Sequence, residues 1–186
     1  MGRAGKARPE KMHALHCILV KLENGHGLDT GELRRLARSL AMSRTEDYFP
    51  GVFDYRSEED AGAWSEEYPG DGVVLGREEP DRFRELLLRF KDRPLQAAVE
   101  NLRYVREEGI EPRVDEEFLR RLWNGECSFL ASYTLIEALR LASGEYRFES
   151  HFFSCPDGEV RISEPVLRDA LENPGSYALV FCDYHF

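Results

Sequence analysis

The sequence predicts an α+β domain: a mixed sheet with adjacent N- and C-terminal strands, and helices from the middle of the chain packed on it. Two observations lead to this fold class. The most apolar short runs lie at the two ends of the chain, at His13–Leu22 and Tyr177–His185, and such runs are typical of buried central strands. Between them, apolar residues recur with helical spacing. With 186 residues and 42% apolar side chains, the chain can form one such domain over residues 12–186.

The first half of the chain is predicted to alternate between strands and helices. Asn24-Gly25 ends the first strand, and Asp29 with Glu32 three residues later has the pattern of a helix capping box. The helix that follows carries one apolar stripe, formed by Leu33, Leu36, Ala37, Leu40 and Ala41. Val73–Leu75 predicts a short strand, and Pro80 suits the first turn of a second helix.

The second half is predicted to be helical up to Gly144. One helix is expected over 92–109, and a shorter one begins after a cap at Asp115. A third is expected over 128–143, where apolar residues on all sides of the helix indicate a central position in the fold. Glu145–Phe153 and Glu159–Ser163 are expected to form a hairpin around the turn at 155–158. Pro165 opens a last helix before the final strand. The middle helices, 76–143, could form a lobe of their own.

Almost all of the charge imbalance lies in one short segment. Residues 46–81 contain twelve carboxylates and two arginines, a balance of −10, which equals the formal net charge of the whole chain. The same segment holds six aromatic residues, which a purely solvating acidic linker would lack. Its first part, residues 44–72, has no sustained periodicity and is unusually long for a connection in a compact domain, and such loops are often functional.

Our preferred interpretation is that residues 46–71, the acidic and aromatic part of this segment, form a non-catalytic binding surface for a basic protein partner. Aromatic rings supply rigid contact area, and carboxylates attract a basic surface over a distance. The candidate binding residues are Tyr48, Asp54, Tyr55, Glu58, Glu59, Asp60 and Trp64. The alternative is a surface loop whose aromatic residues pin it to the core while its carboxylates stay in water.

A second hypothesis is a cysteine-dependent hydrolase or transferase. Cys127 lies at the predicted start of the apolar helix, where the helix N-terminus favours a thiolate. His151 follows on a predicted strand, and Asp157 lies in the next turn. This order resembles that of papain-like and transglutaminase-like enzymes over about thirty residues, without a family-specific motif. Asp157 departs from that pattern because it lies in a tight turn, and Glu126 beside the thiol would raise its pKa.

A third hypothesis concerns the histidines at the ends of the terminal strands. Alternation places Asp183 and His185 on one face of the last strand. His13 and His16 point to opposite faces of the first strand, so at most one of them can join that pair. A His-Asp-His cluster could hold zinc or another non-haem metal ion, with an open position for water. Polar residues at strand ends usually have no such role, and we predict no metal and no cofactor.

Several functional classes are disfavoured by the sequence. It has no GxGxxG, GxxxxGK[ST], HExxH or GxSxG motif. A pI near 5.1 argues against direct nucleic-acid binding. No apolar run approaches the roughly 20 residues of a membrane helix.

The composition gives some further expectations. Only four of the 25 basic residues are lysines, which favours a GC-rich bacterial source. We expect a cytoplasmic protein whose four cysteines are free thiols. Residues 1–11 are expected to form a disordered basic tail, with Met12 as an alternative start. The oligomeric state stays open.

Overall fold

A computed structural model describes residues 13–23, 27–45, 55–96, 99, 116–125 and 150–185. The strands are β1 (His13–Lys21), β2 (Tyr55–Arg56), β3 (Val73–Leu75), β4 (Ser150–Ser154) and β5 (Tyr177–His185). The helices whose bounds are defined are α1 (Thr30–Thr45), α2 (Pro80–Phe90), α3 (Glu116–Trp123) and α4 (Glu164–Glu172). Two short 3₁₀ turns lie at Gly62–Trp64 and Pro174–Ser176.

The terminal strands form the centre of a mixed sheet, as predicted. The strand order is β2-β5-β1-β4, and β3 also pairs with β5. β1 and β5 are antiparallel along their whole length, from His13 opposite His185 to Lys21 opposite Tyr177. β4 runs parallel to β1 on the other side, whereas β2 and β3 are antiparallel to β5. The predicted α+β fold class is confirmed, including the adjacency of the two terminal strands.

Both faces of the sheet are covered by helices. Leu15, Cys17 and Leu19 of β1 point to the face that packs against α2 and α4. Ile18 and Val20 point to the opposite face, which packs against α1. This gives three layers: α1, the sheet, and the pair α2 and α4. Burial on both faces explains why β1 and β5 are apolar almost throughout instead of alternating with polar residues.

The helix signals in the sequence are observed in the structure. Asp29 Oδ1 accepts the backbone N–H of Glu32 at 2.8 Å, and Glu32 Oε2 accepts the N–H of Asp29 at 2.9 Å. This is the predicted capping box at the start of α1. α2 begins with Pro80 in its first turn. Its buried stripe consists of Phe83, Leu86, Leu87 and Phe90, the residues expected from the helical spacing.

The predicted hairpin after β4 is wrong in its second arm. Ser154 and Glu159 form one isolated antiparallel bridge, and residues 160–163 are not in a strand. β4 instead pairs along its length with β1. Phe152 and Phe153 point to opposite faces of the sheet, and both are buried. A two-stranded hairpin alone would leave them in contact with water.

Other predictions fall on residues that the structure does not describe. These are the basic tail at 1–11, most of the helix at 92–109 and the apolar helix at 128–143. α2 packs on the sheet, and a separate lobe over 76–143 stays a prediction. Within the described ranges, no helix combines the length and the apolar character that crossing a bilayer requires.

Candidate functional site

The central part of the acidic segment is a loop that leaves and rejoins one edge of the sheet. We call residues 57–72, which connect β2 to β3, the acidic loop. The N–H of Ser57 donates to Asp183 O, and the N–H of Phe181 donates to Gly72 O, both at 2.8 Å. Both ends of the loop are therefore bonded to β5, two residues apart. Compact loops closed in this way are frequently functional.

A buried arginine on α1 closes the base of the acidic loop. The Arg38 side chain is almost fully buried, and its guanidinium makes five hydrogen bonds to backbone carbonyls. The acceptors are Glu58 O at 2.7 Å, Asp71 O at 2.8 Å, Phe181 O at 3.0 Å, Ser57 O at 3.0 Å and Asp60 O at 2.5 Å. Because these acceptors come from both ends of the loop and from β5, Arg38 fixes the loop to the sheet.

Aromatic residues of the loop also pin it to the core. Tyr68 is buried and stacks on Phe181 of β5, with ring centroids 3.8 Å apart. Its hydroxyl donates to Glu67 Oε1 at 2.9 Å and accepts from Arg89 Nη2 at 3.1 Å. Trp64 is partly buried against the same cluster. For these two rings the structure agrees with the alternative considered above, in which the aromatics anchor the loop.

The six carboxylates of the loop fall into two groups. Glu67 pairs with Arg89 and Asp71 with Arg34, each at 2.8 Å, and the Arg89 hydrogen bond lowers the pKa of Glu67. The other four carboxylates are exposed: Glu58, Glu59, Asp60 and Glu66. The Glu58 side chain is 75% exposed and lies 3.8 Å from Arg56, too far for a strong pair. The other three make no ion pair with any residue that the structure describes.

The predicted binding residues are therefore only partly brought together. Glu58, Glu59 and Asp60 are exposed at one bend of the acidic loop, and Trp64 lies in the 3₁₀ turn that follows. Tyr55 is the first residue of β2, paired with His185. Tyr48 and Asp54 lie outside the described residues. The exposed surface of the acidic loop is thus mainly acidic, with Trp64 as its partly exposed ring.

Sequence reasoning missed the arginines that organise this loop. Arg34 and Arg38 lie four residues apart on the flank of the apolar stripe of α1. Arg34 Nη1 donates to Asp71 Oδ1 and to Val73 O, both at 2.8 Å. Two arginines one helical turn apart, beside small residues such as Ala37 and Ala41 and followed by an acidic segment, were the available signal.

Only part of the cysteine-dependent hypothesis falls on described residues. Cys127 lies outside the described residues. The Asp157 carboxylate accepts hydrogen bonds from the Ser154 hydroxyl and from the N–H and hydroxyl of Ser163, at 2.7–2.9 Å. Asp157 therefore organises the turn after β4, and the structure places a histidine, not Asp157, against His151.

The described thiols are poor nucleophiles. Cys17, Cys155 and Cys182 are free cysteines. Burial raises the pKa of Cys155 and of Cys182 to about 12, and raises that of Cys17 well above its usual range. None of the three would carry a thiolate at neutral pH.

His151 belongs to a pair of histidines in edge-to-face contact within the sheet. It lies directly opposite His16 in the β1–β4 register, with the rings nearly perpendicular and their centroids 4.5 Å apart. The His16 ring is also 4.0 Å from that of Tyr184. Burial lowers the pKa of His151 to about 4, and burial with the neighbouring His151 lowers that of His16 well below its usual value. Both rings are therefore neutral at pH 7.

This pair predicts a loss of stability in mild acid. An unfolded histidine takes up a proton below about pH 6.5, whereas the buried ring resists protonation. The free energy of unfolding should therefore be highest above pH 6.5 and fall by up to about 1.4 kcal/mol per histidine for each pH unit down to pH 5. Urea unfolding at half-unit intervals would measure this slope. His16→Leu should reduce the slope to about half, because His151 remains. An identical slope in that variant would contradict the assignment.

Of the two histidines of β1, His13 is the one that contacts Asp183. His13 Nδ1 is 2.8 Å from Asp183 Oδ2, and Asp183 is buried. His16 points to the other face, as expected. Among the side chains that the structure describes, no three histidine, cysteine or carboxylate groups gather as a metal-binding cluster.

Two surface grooves lie away from these residues. One, of about 660 Å³, is lined by Arg120, Arg161 and Lys91 among others, and the second, of about 630 Å³, lies beside Cys155. Neither is lined by His151, Asp157 or a residue of the acidic loop.

Comparison with known proteins gives no relative for this chain. It matches no family model, no curated protein and no solved structure. The acidic loop and the histidines have to be interpreted from their own geometry.

Proposed function

We propose that the protein is a non-catalytic binding protein that docks a basic protein surface on its acidic loop. The observation that supports this most directly is the separation of two roles within the loop. Backbone carbonyls, Tyr68 and the paired carboxylates hold the loop in place, and Glu58, Glu59, Asp60 and Glu66 stay exposed. Of these four side chains, only that of Asp60 forms a hydrogen bond with a residue that the structure describes, accepting the N–H of Gly62.

The charge of the loop favours a cationic partner. Residues 57–72 contain six carboxylates and no lysine or arginine. Arg34 and Arg89 neutralise two of the six. The remaining acids create a local negative potential, which raises the rate at which a basic protein associates and disfavours acidic partners.

The rigidity of the loop favours binding as well. Arg38 bonds to carbonyls at both ends of the loop, and Asp60 Oδ1 accepts the N–H of Gly62 at 2.8 Å. A surface that is already ordered loses less conformational entropy when it binds than a flexible acidic tail does. The carboxylates of Glu58, Glu59 and Asp60 are thereby presented from a fixed backbone.

Charge reversal on the loop is the sharpest test of this proposal. Glu58→Lys with Glu59→Lys should weaken partner binding at least about ten-fold, because it replaces attraction by repulsion. Trp64→Ala is a poorer test, since Trp64 also packs against the core. The matched control is Glu117→Lys with Glu172→Lys, which changes two exposed acids elsewhere by the same charge.

The measurement has two stages. Proteins captured from an extract of the source cells are first quantified for wild type, loop variant and control, and the partner is then produced and its Kd measured at several salt concentrations. We expect a basic protein that binds wild type and control, is lost from the loop variant, and binds more weakly as salt increases. Equal Kd values for all three proteins would contradict the proposal.

A further inference from the structure

The larger of the two surface grooves combines apolar walls with one cation that has no partner among the described residues. It has a volume of about 660 Å³ and lies where α3 meets the segment after α2 and the start of α4. This volume is typical of sites for small organic molecules. The apolar side chains that line it are Leu95, Val99, Trp123, Ile162 and Leu167. We propose that the groove binds a small organic carboxylate with an apolar or aromatic body, and that Arg161 pairs with the carboxylate.

The charges that line the groove favour an anion. Five of its six charged side chains are in ion pairs, which are Lys91 with Asp92 at 2.6 Å, Arg120 with Glu116 at 2.8 Å, and Glu164 with Arg168 of the same helix at 3.5 Å. Arg161 is the sixth, and it makes no hydrogen bond or ion pair with any residue that the structure describes. The groove therefore offers one positive charge to a ligand.

The Arg161 guanidinium is positioned beside the C-terminal end of α3. A Cβ built on Gly125 would lie 2.9 Å from Arg161 Nη1 and 3.4 Å from Nη2, so the guanidinium rests on the backbone of Gly125. Gly125 has a φ of +76°, a conformation that favours glycine, and its missing side chain leaves room for Arg161. Because Arg161 is partly buried, an ion pair formed there is screened less than one on the open surface.

A carboxylate matches this single charge better than a phosphate does. One guanidinium donates two parallel hydrogen bonds to a carboxylate and neutralises its charge. A phosphate monoester carries roughly −1.5 to −2 at pH 7, and Lys91 and Arg120, the other cations of the groove, are already paired with acids. No residue of the acidic loop lines the groove, so this inference and the proposed function can fail independently.

Calorimetric titration of the full chain tests the groove. The probes are benzoate, phenylacetate, 1-naphthylacetate and octanoate, the primary amide of each, and phenyl phosphate. We expect one equivalent of at least one carboxylate to bind. Its amide, which has the same body without the charge, should bind at least about ten-fold more weakly.

Variants of Arg161 assign this difference to the guanidinium. Arg161→Gln should weaken binding of the same carboxylate at least about ten-fold, and Arg161→Lys, which keeps the charge but loses the paired hydrogen bonds, should lie between Arg161→Gln and wild type. The matched control is Arg35→Gln, which removes an exposed arginine of α1 that does not line the groove and should bind as wild type does. Thermal unfolding checks that each variant is folded.

Four results would overturn the proposal: no saturable binding of any carboxylate, equal affinity for each carboxylate and its amide, binding by Arg161→Gln as tight as by wild type, or tighter binding of phenyl phosphate than of every carboxylate. Three of these are measured on the wild-type protein. They decide the outcome even should Arg161→Gln disturb the end of α3.

Discussion

Arg38→Met should lower the free energy of unfolding by about 3–5 kcal/mol, because five backbone carbonyls lose their donor in a buried setting. Methionine fills much of the same volume, so the loss reports hydrogen bonding more than packing. The effect should be concentrated in the acidic loop, which Arg38 fixes to β5.

Urea unfolding of Arg38→Met, Arg35→Met and Arg38→Lys separates the effect of the Arg38 hydrogen bonds from a general effect of charge. Arg35→Met removes an exposed arginine from the same helix and should change stability by less than about 0.5 kcal/mol. Arg38→Lys keeps the charge but has three donors instead of five, and should lie between wild type and Arg38→Met. An Arg38→Met protein as stable as Arg35→Met would show that the Arg38 hydrogen bonds contribute nothing to stability.

Gly62→Ala should have the second largest effect and lower the free energy of unfolding by about 2–4 kcal/mol. Gly62 has a φ of +56°, which disfavours a side chain. A Cβ there would also lie 2.3 Å from Asp183 Cβ and 2.6 Å from its Oδ2. Neither the loop nor β5 can move away without breaking the bonds between Ser57 and Asp183.

Gly70→Ala is the matched control for this contact. Gly70 lies in the same loop with a φ of +74°, but nothing lies within 4 Å of a Cβ built on it. Gly70→Ala should therefore lower the free energy of unfolding by only the backbone cost of about 1–2 kcal/mol. Chemical unfolding of both variants gives the difference. Equal losses would mean that the loop does not rest on Asp183 as described.

Those features of the fold that depend on local pattern could be predicted from the sequence. The capping box of Asp29 and Glu32, Pro80 in the first turn of α2, and the apolar terminal strands are each set by residues close together in the chain. The partner of β4 could not be predicted in this way. A tight turn at 155–158 is compatible with a hairpin. The parallel pairing of β4 with β1 depends instead on the position of β1, which is distant in the chain.

The candidate site was predictable in its charge but not in its construction. The acidic composition of residues 57–72 is visible in the sequence, and so is the turn chemistry of its glycines. Which acids are neutralised depends on Arg34 and Arg89, which reach the loop from different helices. The meeting of His13 with Asp183, 170 residues apart in the chain, likewise follows only from the β1–β5 register.

Hydrogen exchange of the acidic loop tests most directly that its acids are displayed from an ordered backbone. The N–H groups of Ser57, Trp64 and Tyr68 donate to Asp183 O, Ala61 O and Trp64 O at 2.8–3.0 Å. These amides should exchange at least about a hundred-fold more slowly than in an unstructured peptide, and faster again in Arg38→Met. Exchange of all three at the rate of an unstructured peptide in the wild-type protein would contradict the account.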